Sequence, residues 1–164
     1  MKKLIISAVV ATVFSFNLFA QDVAVASRSL VTEAYSGSAA PNVNVKVARA
    51  FVKNFGNAEN VNWKEKKDEY IAEFNLDGRL VMAWFKKTGN LYAANYYGSA
   101  KHLHDQQVEL IKESYSGYSV VATTEVNVKG KSAWIITLQN DRYVRKVRIA
   151  DETLEEVEVW YRGN

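Results

Sequence analysis

Apolar positions along this chain alternate between a helical spacing of about 3.6 residues and a strand spacing of two. In "VNVKVARAFVKNFG", Val47, Phe51 and Phe55 recur at i, i+4 and i+8. That gives a helix one apolar face, and Gly56 is placed to close it. Strand segments follow near Val61–Glu65, Glu69–Leu76, Arg79–Phe85 and Leu91–Tyr96. The helical spacing returns in "DQQVELIKESYSGY", with Val108, Leu110, Ile111 and Tyr115 as its apolar set. Asp105 is its expected N-cap, and Gly117 lies just past its end. Further strands are expected near Val120–Val128, Ser132–Gln139, Tyr143–Ile149 and Leu154–Tyr161, with two-residue turns at Lys129-Gly130 and Asn140-Asp141. Each half reads as one helix followed by an antiparallel meander, over residues 45–98 and 104–162. The expected fold class is α+β: tandem helix–antiparallel meander repeats, with the helices packed on one face of an antiparallel sheet, continuous or in two lobes.

The hairpin "FNLDGRLVMAWF" (Phe74–Phe85) assigns the faces. A two-residue turn at Asp77-Gly78 pairs Leu76 with Arg79, Phe74 with Val81, Ala72 with Ala83 and Tyr70 with Phe85. That set is largely apolar and should meet the helices. The other face then carries Ile71, Glu73, Leu80, Met82 and Trp84, and a bulged turn at Gly89 would bring Tyr92 and Tyr96 beside them. Aromatics, Met and a single acid resemble the composition of an interface more than that of a sealed core. In the second half, Trp134, Ile136, Leu138, Tyr143 and Val147 form the expected core set, opposite Lys146, Arg148, Glu156 and Glu158. Aligning the two halves strictly would instead place Trp134 with Ile71. If Val147 faces Val157, Lys146 and Arg148 face Glu158 and Glu156 as cross-strand ion pairs.

The N-terminus changes the picture of address and charge. "MKKLIISAVVATVFSFNLFAQD" has a basic start at Lys2 and Lys3, an apolar run from Leu4 to Phe16, and a small residue, Ala20, before an expected cut. Residues 1–20 are thus an expected signal peptide, 21–44 a flexible leader containing the only proline, Pro41, and 45–164 the domain. The expected localisation is periplasmic or secreted, with no membrane span after cleavage. No cysteine is present, so an exported domain must be held by core burial rather than disulfides. Removing Lys2 and Lys3 with the signal lowers the net charge from +3 to +1, and no concentrated basic groove for nucleic acid is evident in the sequence.

Three stretches carry a family resemblance. "FVKNFGNAENVNWKE" is similar to a helix-to-strand entry of the form F-P-x-A-x-x-V-x-W, and "YIAEFNLDGRLVMAWFKKTGNL" to a double hairpin with fixed Gly turns. "ESYSGYSVVATTEV" looks like a second copy of that pattern. On these the chain resembles the PepSY-like, beta-lactamase-inhibitor-like family of exported Bacteroidetes proteins, over Val45 to Trp160. Asn54 or Lys53 stands where many members have proline, and Glu152-Thr153 replaces an expected Gly turn. The resemblance implies a secreted scaffold that grips a protein on the open face of its sheet. It carries over no inhibitor contact residue and no disulfide.

Catalytic groups are sparse. "SYSGYS" lacks the G-x-S-x-G spacing of a nucleophile elbow and follows a helix rather than a strand. His102, His104 and Asp105 in "KHLHD" are the only local candidates for metal ligation, against a plain reading as a linker with a helix cap. No metal, cofactor or enzymatic activity is expected. The sequence favours a non-enzymatic exported binding module whose site is Ile71, Glu73, Leu80, Met82, Trp84, Tyr92 and Tyr96. Its expected partner is an envelope or extracellular protein or peptide. The alternative is a structural envelope protein that self-associates through that same face.

Overall fold

The computed structural model describes residues 43–163. The expected signal peptide and nearly all of the leader lie outside them. Helix α1 (Val45–Asn54) precedes strands β1 (Glu59–Glu65), β2 (Glu69–Leu76), β3 (Arg79–Lys86) and β4 (Leu91–Gly98). A short 3-10 turn (Ala100–His102) leads into α2 (Asp105–Ser114), followed by β5 (Ser119–Val128), β6 (Lys131–Gln139), β7 (Tyr143–Ala150) and β8 (Thr153–Tyr161). All eight strands form one antiparallel sheet in sequence order, so the sheet is continuous and not divided into lobes.

Both helices sit on the same face. The β2–β3 register pairs Tyr70 with Phe85, Ala72 with Ala83 and Phe74 with Val81, and all six are buried. They form one core with Val47, Phe51 and Phe55 of the α1 segment. Phe74 is its hub, with ring centroids 5.0 Å from Phe51 and 4.8 Å from Phe55. Burial of each large apolar side chain contributes ~1.5–3 kcal/mol, which docks a helix too short to persist alone. Carried across β4 and β5, the pairing brings Trp134, Ile136 and Leu138 of β6, with Val147 and Ile149 of β7, onto the helix face. There they pack with Ile111 of α2 as a second core. Trp134 is therefore on the helix side. Tyr143 is only half-buried and lies outside that cluster.

Several local expectations are corrected. Phe55 is the C-cap of α1, its N–H donating to the Phe51 carbonyl at 2.8 Å, and Gly56 follows it. His104 is the N-cap residue of α2, its N–H donating to Gln107 Oε1 at 2.9 Å. Asp105 is instead the first helical residue, at the positive end of the helix dipole. The β6–β7 turn is displaced by one, because Asn140 N–H donates to the Tyr143 carbonyl and Asn140 Oδ1 accepts from Arg142 and Tyr143. A bulge at Val157 shifts β8, so Val147 faces Glu156, and Arg148 pairs with Glu155. Glu156 then binds Arg145 on the helix face, while Lys146 does pair with Glu158, at 2.8 Å.

Turn chemistry fixes these registers. Asp77-Gly78 and Lys129-Gly130 both have positive φ at both positions, as type I′ turns require. Asp151-Glu152 adopts the same conformation without glycine, at φ +47° and +63°. Gly89, at φ +91°, also permits close packing: a Cβ there would lie 2.8 Å from the Lys46 carbonyl oxygen of α1.

Urea unfolding should show Phe74→Ala losing ~3–5 kcal/mol, and Trp84→Ala, half-buried on the other face, losing clearly less. Equal losses would make that other face a core. Gly78→Ala, at φ +72° in open space, should lose ~1–2 kcal/mol. Gly89→Ala should lose more than that, because the α1 backbone must also move. Glu152→Gly should gain ~0.5–1 kcal/mol by relieving a left-handed residue, and no gain would show that the turn is unstrained.

Candidate functional site

The face away from the helices is built in rows across the sheet. One row runs Ile71, Trp84, Ala93, Val128; the next runs Glu73, Met82, Asn95, Val126, Ala133; a third runs Asn75, Leu80, Tyr97, Thr124, Ile135. The rows are largely apolar between β3 and β6, with Asn95 and Thr124 as their polar members. Leu80 is 43% and Val128 44% exposed, so no described residue covers them. Ala93 and Ala133 keep the surface low between the larger side chains. Tyr97 directs its hydroxyl at Met82 Sδ, 3.7 Å away.

The residues expected here from sequence divide in three ways. Glu73, Leu80, Met82 and Trp84 lie on this face and are at least partly accessible. Ile71 shares the face but is 5% exposed, lying between Lys64 and Trp84 on the neighbouring strands. It supports Trp84 rather than presenting itself. Tyr96 is on the opposite face: it pairs with Val81 and packs on the α1 core, with the Arg79 guanidinium 4.6 Å above its ring. The cause is a bulge between Leu91 and Ala93, opposite Phe85 and Trp84. It turns Tyr92 toward the open face while restoring the alternation, so Tyr92 and Tyr96 point to opposite sides.

Tyr92 is tied down at one end of the face. Its hydroxyl donates to the Glu69 carboxylate, and Lys86 Nζ lies 4.5 Å from the centre of its ring. Partial burial, reinforced by the Glu69 carboxylate, pushes its pKa up to about 12. The phenol is therefore a neutral donor at physiological pH, held against Glu69. At the margins, Lys64–Glu73 (3.3 Å), Lys146–Glu158 (2.8 Å) and Arg148–Glu155 (2.7 Å) give the face a charged border. Trp160 lies on this border with Lys146 Nζ 5.0 Å from its ring, and is 44% exposed.

Tyr97, Val126, Val128, Ile135 and Trp160 are members that sequence reading left out. The signal for Val126, Val128 and Ile135 was present, since with Trp134 and Ile136 on the helix side the turn at Lys129-Gly130 puts them on the other; Tyr97 lies beyond the bulge at Leu91–Ala93. Trp160 depends on the Val157 bulge, which nothing in the sequence announces.

The His102, His104 and Asp105 group has local structural duties. His102 lies against Gly98, and its Nδ1 accepts the Ser99 N–H at 3.0 Å. The His104 ring meets Trp134 edge-on, with centroids 6.0 Å apart. Among the described residues, no group of three or more His, Cys, Asp or Glu side chains could hold a metal ion. A recess of about 470 Å³ is lined by Asn57, Glu59, Asn75, Leu76, Asp77 and Gly78. It offers carboxylates but no nucleophile or imidazole. No helix among the described residues is long and apolar enough to cross a membrane.

No protein-family model matches the chain, and no curated protein matches it. Solved structures do. A BLIP-like protein of Bacteroides fragilis superposes with a TM-score of 0.57 at 18% identity, over 79% of this chain and 93% of its own. A DUF2874 family protein of Bacteroides uniformis gives 0.55 at 18%, over 71% and 87%. A Bacteroides eggerthii protein assigned provisionally to the periplasm gives 0.56 at 16%, over 76% and 90%. At these identities the likeness establishes the fold: an eight-stranded antiparallel sheet with two helices, of the beta-lactamase-inhibitor-like kind.

Proposed function

We propose that this chain is an exported, non-catalytic binding module that holds a protein or peptide of the cell envelope or exterior on its open sheet face. One observation carries the reading. Leu80, Met82, Trp84, Val126 and Val128 form a connected apolar surface that neither helix covers, bordered by ion pairs. An apolar centre with a polar border is the anatomy of a recognition surface. Trp84 and Met82 near its middle supply a large aromatic anchor and an adaptable thioether. The likeness to BLIP-like folds supports a scaffold that binds rather than reacts. The exported address rests on the N-terminal pattern and on the provisional periplasmic assignment of one structural relative. We also read residues 45–98 and 104–162 as two copies of one PepSY-like helix–meander unit, which explains why both helices reach the same face.

The test is capture from envelope extract with the chain beginning at Gln21. A partner held by wild type should be lost, or bound about tenfold or more weakly, by the Met82→Ser/Trp84→Ala variant. It should be retained by Lys112→Ala on the outside of α2. Unchanged capture by the double variant would remove this face from consideration. Sedimentation over a wide concentration range separates the alternative, a structural protein using the face for self-association: a dimer that Trp84→Ala dissolves would favour it.

A further inference from the structure

The sheet has two unlike ends. Three successive hairpin tips at one end carry Lys66 and Lys67, Lys86 and Lys87, and Lys129 and Lys131, all exposed. The tips are contiguous. Lys87 Nζ reaches Glu65 Oε1 of the first at 2.8 Å, and Lys129 N–H donates to the Tyr92 carbonyl, next to the second, at 3.0 Å. The first turn of α1 closes on the same place, since Gly89 of the second tip abuts Lys46, itself exposed. Seven lysines there face three acids, Glu65, Asp68 and Glu69. The excess of four positive charges exceeds the +1 expected for the whole mature chain. The fourth tip, with Asp151 and Glu152, is acidic, so the basic surface is confined to the side where the chain enters. At the far end of the sheet, the β2–β3 turn and its surroundings bring Asp77 and Glu59 together.

We infer that this lysine-bearing end docks on an anionic phospholipid bilayer. Several lysines projecting from adjacent turns can contact a flat surface together. Each contributes about a fivefold gain in partition when near an anionic membrane. The described chain begins at this end, at Val43 beside α1, whose Lys46 adjoins the second tip. Docking by the tips leaves the open face standing away from the bilayer and free. Of these lysines Lys86 and Lys131 stand at the margin of that face, beside Tyr92 and Val128, and the inference does not depend on the binding module reading.

Co-sedimentation of the chain beginning at Gln21 with phosphatidylcholine vesicles, with and without 30% phosphatidylglycerol, tests it. Binding should require the anionic lipid and fall steeply between low and physiological salt. Lys67→Glu/Lys129→Glu/Lys131→Glu should reduce partition by about a hundredfold or more, at about fivefold for each lysine lost. Lys101→Glu, in the turn after β4 at the other end, should leave it unchanged. Circular dichroism of each variant checks the fold. Equal binding to both vesicle types, an unaffected triple variant, or an equal effect of Lys101→Glu would overturn the inference. So would failure on vesicles with lysine-dependent binding to polyglutamate, which would assign the end to an acidic macromolecule.

Discussion

Strand alternation combined with one-sided helix cover is the constraint on which the rest of the structure depends. Successive residues of a strand point to opposite faces, so each strand position is committed either to a helix or to the open side. The type I′ turn at Asp77-Gly78 sets that parity for β2 and β3. Six further strand pairings transmit it to the sheet edges. Phe74 cannot be core unless Met82 and Trp84 point away from it. The apolar content of "LVMAWF" is therefore a geometric consequence of a strand with a greasy residue in both sets of positions, and the helices use only one of those sets.

Where the sequence was legible, a short turn of known geometry stood beside the residues in question. Phe74, Val81, Ala83 and Phe85 lie within seven residues of Gly78, and their face follows by counting. Helix cover was legible from Val47, Phe51 and Phe55, because Arg49 and Lys53, which a strand would place on the same face, are charged. Trp134 followed its period-2 neighbours Ile136 and Leu138 to the helix side. Errors arose where the count passes through a bulge. Tyr92 and Tyr96 have the same parity in sequence and opposite faces in space, because one extra residue opposes Phe85-Trp84. Glu156 moved to Arg145 for the same reason at Val157. A bulge is favoured by twist and tertiary fit rather than by a strong residue signature, so propensity and period give little warning of it.

The helix face is divided while the open face is not. The two cores meet around β4 and β5, where the helix side carries Tyr96, Glu125 and Thr123 in place of a third apolar layer. Arg79 binds Glu125 at 2.8 Å over the Tyr96 ring, and the Thr123 hydroxyl donates to the Ser99 carbonyl at 3.3 Å. These groups retain their hydrogen bonds in a half-buried seam, consistent with the absence of any buried unpartnered side-chain polar atom among the described residues. On the other side, the row through Leu80, Tyr97, Thr124 and Ile135 crosses the same strands without interruption. A surface spanning both halves is therefore available only on the open face.

An exposed apolar sheet invites indiscriminate pairing, and the placement of charge and bulges limits where that can occur. Edge strand β1 is interrupted by a bulge between Glu59 and Asn62, and edge strand β8 by one at Val157. Both edges carry charges tied to the neighbouring strand, such as Lys64–Glu73 and Lys146–Glu158. Exposed pairs of this kind add little stability, ~0–1 kcal/mol each. Their effect is on specificity, since an incoming strand must displace them or leave charges unpaired. The interior rows have no such guard. Leu80, Met82, Trp84 and Val128 are left as the region where desolvation is favourable, with Glu73, paired to Lys64, as its neighbouring charge. A partner that covers the face broadly gains from this surface, whereas one that pairs at an edge does not.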